Sequence, residues 1–155
     1  MDDKIKELID KLREKGETIS FMESCTGGYC ANSITNISGS SDVLRFSAVT
    51  YSNEYKIKLG VDENIINKYT VYSTETSIEM AKNIKEFSKS EIGVGITGQI
   101  GNIDPRNSGE LNKVFYTIFY RDKLYSKTLN VNGNRKESKE YIFNKILCDL
   151  LGIIE

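Results

Sequence analysis

Histidine is the residue type whose absence excludes most, because the 155-residue chain contains none. Catalysis by Ser-His-Asp or Cys-His groups is therefore excluded within one chain, and so is any metal site with a histidine ligand. If the protein is an enzyme, its general base must be a lysine, an aspartate, a glutamate or a tyrosine.

Cysteine and long apolar runs are also scarce. Cys25, Cys30 and Cys148 form an odd set without a C-x-x-C pair, which indicates a reducing compartment and argues against a disulfide framework. No apolar run approaches the ~18 residues that a membrane span needs. The charged start, Met1-Asp2-Asp3-Lys4, is unlike a signal peptide. We therefore expect a cytoplasmic protein without a membrane partner.

Neither sign of charge is in excess, since 21 basic and 22 acidic residues give a net charge of -1. No stretch interleaves basic with aromatic residues, so we expect no nucleic-acid partner. A hydrophobic content of 39% and a charged content of 28% are typical of globular proteins. The length predicts one domain over residues 1–155.

The most informative stretch is Glu23-Ser24-Cys25-Thr26-Gly27-Gly28, between an apolar run and a predicted helix. A strand followed by a small polar turn and a helix places the Ser24 hydroxyl at the carboxyl end of a strand. Ligands bind at that edge in open α/β sheets, and glycines there let the backbone approach an anionic group. We predict a reaction centre at this turn; the alternative is that Ser24 is a helix N-cap.

Hydrophobic periodicity predicts strands and helices that alternate along the chain. Strands are predicted at 18–22, 47–52, 91–97, 113–120 and 124–131, and helices at 2–15, 29–36, 43–46, 53–59 (N-cap Asn53), 62–69, from Ser73 onward (with Ile78, Ala81, Ile84 and Phe87 inward) and 137–151. This order predicts a three-layer α/β/α sandwich around a mixed, partly parallel sheet with an antiparallel hairpin. The long loop at 98–112 is expected to be functional or mobile.

Several blocks resemble the CinA C-terminal domain family in order and spacing, over nearly the whole chain. They are Glu23–Gly28, 38–41, 49–56, 59–61 and 96–98. The resemblance implies a nicotinamide-nucleotide amidase, which hydrolyses the carboxamide of nicotinamide mononucleotide to nicotinate mononucleotide and ammonia. It also implies that the enzyme uses no metal or other cofactor, that its partner is this small-molecule substrate, and that the protein is a homo-oligomer.

The resemblance assigns the catalytic positions to Ser24, Lys56 and Tyr51. Chemistry alone agrees, because a hydroxyl nucleophile without histidine needs a base such as a partly desolvated lysine. Tyr51 would then relay a proton or keep the lysine neutral. Without the resemblance, Lys56 would be a solvated helix lysine and Tyr51 a strand aromatic. Ser24 either forms an acyl-enzyme or orients a water molecule, and the sequence leaves both open.

Matching positions also provide candidate substrate-binding residues. They are Thr26, Gly27, Gly28, Ser41, Thr97, Gly98 and Arg135. Arg135 is predicted to pair with the nucleotide phosphate, and the alternative is a solvent-facing arginine. Backbone N–H groups of the Cys25–Gly28 turn are predicted donors to an oxyanion. Caps, turns and strand ends are the structural alternatives for the other positions.

Two features argue against other readings. Residues 93–98 match G-x-G-x-x-G, but the glycines lie within a predicted strand and no helix follows, so a dinucleotide site is rejected. Cys25 lacks a histidine partner and is predicted to be a buried, inert thiol.

The segment at 99–112 departs from the Ala-Gly-Pro turn and the Lys-Pro-Val-Gly step that are usual in the family. The alternative function is therefore a non-catalytic nucleotide-binding or regulatory domain of the same fold.

Overall fold

Helices and strands alternate along the computed structural model, which describes residues 1–154. The strands are β1 (Ile19–Glu23), β2 (Ala48–Val49), β3 (Ile92–Gly98), β4 (Lys113–Tyr120) and β5 (Lys123–Asn130). The helices are α1 (Asp2–Lys15), α2 (Tyr29–Thr35), α3 (Asn53–Lys58), α4 (Glu63–Tyr69), α5 (Thr74–Ser88) and α6 (Arg135–Ile153), with one 3₁₀ turn at Ser40–Asp42. No helix of these 154 residues is long and apolar enough to cross a membrane.

The five strands form one mixed sheet in the order β2-β1-β3-β4-β5. Strand β1 runs parallel to both β2 and β3, with Glu23 opposite Val49 on one side and Ile96 on the other. Strands β4 and β5 continue the sheet as an antiparallel hairpin. The predicted fold class is confirmed, and the carboxyl ends of β1 and β3 meet at one edge of the sheet.

Two apolar cores lie on opposite faces of the sheet. The first packs α1, α2 and α6 against one face, and its side chains include Ile5, Leu8, Leu12, Cys30, Ile34, Ile142, Phe143, Ile146 and Leu150. The second lies under α4 and α5 and contains Met22, Val61, Ile66, Val71, Met80 and Ile84. Full burial of each large aliphatic side chain contributes roughly 1.5–3 kcal/mol relative to exposure. These cores fix the sheet edge that carries the site.

Glycines in β3 allow α5 to pack closely on the sheet. A Cβ atom on Gly93 would collide with the carbonyl oxygen of Ala81, and one on Gly95 would collide with that of Ser77. All three glycines of the G-x-G-x-x-G pattern therefore lie within a strand, and Gly93 and Gly95 serve helix–sheet contact.

The predicted strand at 47–52 is longer than the observed β2. The N–H of Phe21 in β1 donates to the Ser47 hydroxyl at 3.0 Å, and not to a backbone carbonyl of the neighbouring strand. The side chain thus replaces a backbone bond and shortens the strand. The predicted helix at 43–46 is wrong, because the Ile19 N–H donates to the Val43 carbonyl at 2.8 Å and Leu44 bridges to Ile19.

Three further details differ from the predictions. The N-cap of α3 is Ser52, whose hydroxyl accepts from the Tyr55 N–H, so Asn53 is already helical. Helix α6 begins at Arg135, because Asn134 and Glu137 form a capping box. Phe87 was predicted to face inward but is 58% exposed, with its ring 5.1 Å from that of Phe46.

Candidate active site

Ser24 lies in the turn that leaves β1 at the carboxyl edge of the sheet. Its N–H donates to the Ile96 carbonyl of β3 at 3.1 Å, and its carbonyl accepts from the Gly27 N–H at 2.9 Å. Gly27 and Gly28 have φ values of 59° and 99°, which disfavour other residues there. The turn therefore holds the Ser24 backbone from both sides.

Ser24 is not the N-cap of α2. The N-cap position is Gly28, and the first turn of the helix is satisfied by the buried carboxylate of Glu23. Its two oxygens accept from the N–H groups of Cys30 and Ala31, each at 3.0 Å. The N-cap alternative is therefore wrong, and the Ser24 hydroxyl is left for another partner.

That partner is Lys56, which α3 places behind the serine. The Lys56 side chain is buried, and its Nζ donates to Ser24 Oγ at 3.0 Å and to the Thr50 carbonyl at 2.7 Å. Burial lowers the pKa of Lys56 from 10.5 to about 8, and this effect outweighs that of the Asp104 carboxylate, which favours the ammonium form. A substantial neutral fraction is therefore present in the physiological range.

Neutral Lys56 has the bonding capacity that a general base requires. A neutral amine has two N–H donors and one lone pair. With one N–H held by the Thr50 carbonyl, the lone pair can accept the proton of the Ser24 hydroxyl along the same 3.0 Å contact. The arrangement supports activation of a hydroxyl nucleophile without histidine.

Ser24 opens onto a cavity with two adjoining lobes of about 190 and about 490 Å³. Both lobes are lined by Ser24, Tyr51, Tyr72, Asp104 and Arg106. The cavity therefore lies between the catalytic-type pair and the loop that follows β3.

Tyr51 lines this cavity but is not hydrogen-bonded to the lysine. It is 62% exposed, and its hydroxyl accepts from Arg135 Nη2 at 2.9 Å. The two hydrogen bonds of Lys56 go to Ser24 and Thr50 instead. The structure therefore does not support the predicted role of Tyr51 in relaying a proton or neutralising Lys56.

Two predicted binding positions do line the cavity. Gly98 ends β3 there, and Arg135 extends from the start of α6. Arg135 Nη1 donates to the Ile100 carbonyl at 3.0 Å and to the Asn102 side chain at 2.8 Å. These contacts hold the guanidinium at the cavity wall, where an anion can bind.

Other predicted binding positions lie elsewhere. Thr26 and Thr97 are fully buried, and the Thr97 hydroxyl donates to the Val71 carbonyl at 2.9 Å, so neither side chain reaches the cavity. Ser41 is exposed in the 3₁₀ turn, beside Asp42, which pairs with Arg13 of α1. That turn lies by the amino end of β1, so Ser41 is at the opposite edge of the sheet.

The glycine turn faces a basic residue that the sequence analysis missed. Gly27 is exposed, and a Cβ atom there would lie 3.3 Å from Lys139 Nζ. Lys139 is one helical turn beyond Arg135 on α6. The spacing of these two residues at the start of a predicted helix was the signal that could have found it.

The polar wall formed by the loop after β3 was also missed. Asp104 Oδ2 accepts from the Tyr72 hydroxyl at 2.7 Å and from Asn107 Nδ2 at 2.8 Å. The Asp104 N–H donates to Gln99 Oε1, and Asn107 accepts from Asn53 of α3. The signal was that Asp104 is the only acidic residue between Glu91 and Glu110.

Cysteine chemistry is not prepared at this site. Burial raises the pKa of Cys25 to about 12 and that of Cys30 well above 9.0, so both thiols stay protonated at neutral pH. Among residues 1–154, no three cysteine or acidic side chains come together as a metal site would require. The pair at the cavity wall whose geometry suits nucleophilic chemistry is Ser24 and Lys56.

Comparison with known proteins places the chain in a family. A CinA-like protein of Endomicrobium trichonymphae is 39% identical over 141 residues, which are 90% of this chain and 33% of the relative. A CinA-like protein of Kosmotoga olearia is 37% identical over 131 residues, 84% of this chain and 32% of the relative. The chain thus spans about a third of the length of these curated relatives.

Solved structures show the same fold. The competence or damage-inducible protein of Enterobacter asburiae has a TM-score of 0.93 at 24% identity and covers 99% of this chain and 98% of its own. The competence/damage inducible protein CihA of Agrobacterium tumefaciens has a TM-score of 0.91 at 24% identity, with 99% and 95% covered. The family model of the CinA C-terminal domain matches residues 2–154. The chain therefore belongs to the CinA C-terminal domain family.

Proposed function

We propose that the protein hydrolyses the carboxamide of a pyridine nucleotide, nicotinamide mononucleotide, to nicotinate mononucleotide and ammonia. The observation that carries the proposal is the 3.0 Å hydrogen bond between Lys56 Nζ and Ser24 Oγ at the wall of a cavity. The family resemblance of the motifs supplies the substrate, and the geometry supports the chemistry.

The first half of the reaction forms an ester. Neutral Lys56 accepts the proton of the Ser24 hydroxyl while Oγ attacks the carboxamide carbon. The tetrahedral intermediate collapses, the C–N bond breaks, and Lys56 returns the proton to the leaving nitrogen so that ammonia departs. An acyl-enzyme on Ser24 remains.

The second half uses water. Lys56, neutral again, accepts a proton from a water molecule that attacks the ester carbon. The C–O bond to Ser24 then breaks, and Lys56 returns the proton to Oγ while the product leaves as the carboxylic acid, which loses its remaining proton to solvent as nicotinate. One water molecule is consumed and one ammonia molecule is released.

Backbone donors for the oxyanion are limited by the turn. The Gly27 N–H is already bonded to the Ser24 carbonyl, whereas the N–H groups of Cys25, Thr26 and Gly28 donate to no backbone oxygen among the described residues. Of these three residues, only Cys25 lines the cavity. We therefore assign the Cys25 N–H as the oxyanion donor.

The basic residues suit the other end of the substrate. Arg135 and Arg106 line the same lobe of the cavity as Ser24, and Arg135 has an oriented guanidinium. With the carboxamide at Ser24, the phosphate of the nucleotide would bind at Arg135.

Ammonia release from nicotinamide mononucleotide tests the proposal. The wild-type protein is expected to release ammonia, and Lys56→Met is expected to release almost none. Lys58→Met is the matched control, because Lys58 lies on the same helix but its side chain is 60% exposed. Wild-type protein that releases no ammonia would contradict the proposal.

The alternative is a non-catalytic nucleotide-binding domain, and the altered 99–112 segment favours it. It predicts thermal stabilisation by nicotinamide mononucleotide without ammonia release. Location in the cytoplasm and homo-oligomerisation stay predictions.

A further inference from the structure

The charged side chains that line the cavity are basic at every position except one. Lys56, Arg106 and Arg135 are basic, and Asp104 is the one carboxylate among the described residues that line the two lobes. Asp104 borders both lobes, as Ser24 does. A ligand that fills either lobe therefore borders both Ser24 and this negative charge.

The negative charge of Asp104 is held in place. Its oxygens accept from the Tyr72 hydroxyl, from Asn107 and, at 2.9 Å, from the Arg106 N–H. Hydrogen bonds from Asn107, Tyr72 and the Arg106 backbone lower the pKa of Asp104 to about 2. The carboxylate is therefore ionised at any working pH.

The neighbouring arginine does not cancel this charge. Arg106 Nε lies 3.5 Å from Asp104 Oδ1, but its side chain is 86% exposed. An ion pair this exposed is worth little, and a ligand can displace it. Asp104 thus keeps a local negative potential inside a cavity that is otherwise basic.

Two aromatic rings accompany the carboxylate. Tyr51 and Tyr72 line both lobes, and Tyr72 is bonded to Asp104 through its hydroxyl. Aromatic faces attract cations, and the attraction is stronger where water is excluded. A carboxylate with flanking tyrosines is a suitable site for a flat cationic ring.

We propose that Asp104 is a specificity-determining residue that binds the cationic pyridinium ring of the substrate and so selects oxidised over reduced pyridine nucleotides. The inference rests on the proposed function. In oxidised nicotinamide mononucleotide the ring nitrogen carries a positive charge, whereas the dihydropyridine ring of the reduced form is neutral. The carboxamide, ribose and phosphate are the same in both.

The test measures equilibrium binding of the two forms to Ser24→Ala protein, which does not consume them. This protein is expected to bind the oxidised form at least about tenfold more tightly, the size of one partly screened charge contact. Adding Asp104→Asn is expected to remove that preference. The affinity for the oxidised form should fall about tenfold, and the affinity for the reduced form should change less than about twofold.

Asn107→Ala is the matched control for a purely structural role of Asp104. It removes one donor to the carboxylate and loosens the loop, but keeps the negative charge. It is expected to weaken the binding of both forms equally, so that the preference for the oxidised form stays. A thermal unfolding midpoint for each variant shows that the fold is intact.

Three results would overturn the inference. Equal binding of both forms to the Ser24→Ala protein would exclude selection of the cationic ring. Equal weakening of both by Asp104→Asn would assign Asp104 to loop structure alone. Binding of neither form would remove the inference together with its substrate, and ammonia release by the wild-type protein reports separately on the proposed function.

Discussion

The two walls of the cavity are built in different ways. The wall with Ser24 and Lys56 is buried, and it is fixed by backbone hydrogen bonds to β3 and by the capped helix α3. The wall formed by 99–112 is mostly exposed and is fixed by side-chain hydrogen bonds centred on Asp104.

This contrast separates reactivity from recognition. Removing water from Lys56 lowers its pKa and creates a base. Hydrogen bonds to Asp104 lower its pKa and so keep a negative charge at the cavity wall, where a ligand can bind to it. The same cavity thus combines a lysine that loses its proton more readily than usual with a carboxylate that stays ionised. Changes to the buried wall should therefore affect rate, and changes to the loop should affect affinity.

The largest expected effect comes from the buried wall. Ser24→Ala removes the nucleophile and is expected to lower kcat for ammonia release by on the order of 10³-fold or more. Ser41→Ala is the matched control, since Ser41 is exposed at the other edge of the sheet and should leave kcat unchanged. A Ser24→Ala protein with wild-type kcat would remove the distinction between the two walls.

Lys56 is expected to reduce stability at neutral pH. Its pKa is lowered from 10.5 to about 8 in the folded protein, so the unfolded state binds more protons between these values. Stability should therefore rise with pH over that range, by about 3 kcal/mol in total. Denaturant unfolding should measure the free energy of unfolding of wild-type and Lys56→Met protein. Relative to Lys56→Met, the wild-type protein should be least stable below pH 8 and should gain stability toward pH 10. A difference that does not vary with pH would contradict this.

The rate should follow the neutral fraction of Lys56. With a pKa of about 8, that fraction is about a tenth at pH 7 and about nine tenths at pH 9. The kcat/KM for ammonia release is expected to rise about tenfold over this interval and then level off. A profile that is flat from pH 7 to 9 would exclude Lys56 as the base.

The smallest expected effect is that of the Tyr51 hydroxyl. Tyr51→Phe keeps the ring but removes the acceptor for Arg135. We expect kcat/KM to fall by no more than about fivefold, because one exposed hydrogen bond contributes about 1 kcal/mol. A loss comparable to that of Lys56→Met would restore the predicted proton relay.

The sequence predicts the buried wall better than the exposed one. The strand, the small turn and the following helix locate Ser24, and the lack of histidine directs attention to lysine. The sequence does not show how far each matching residue lies from the site. Ser41 belongs to a block that matches the family, yet it lies at the opposite edge of the sheet.

Long-range side-chain contacts are what the sequence leaves unpredicted. Tyr72 meets Asp104 across 32 positions, and Arg135 meets Tyr51 across 84. Neither pair has a local pattern, because both depend on how loops meet over the sheet edge. The same holds for β2, which begins after Ser47 because the Ser47 hydroxyl takes the place of a ladder bond, and which ends early because Ser52 already caps α3.

The most direct test of the account is the protonation of Lys56 itself. An NMR titration of protein carrying ¹³C at the lysine Cε atoms can follow it, with the Lys56 signal identified by its loss in Lys56→Met. We expect a midpoint near pH 8, well below the ordinary lysine value of 10.5. A midpoint near 10.5 would contradict it, because the side chain beside Ser24 would then be a permanent cation.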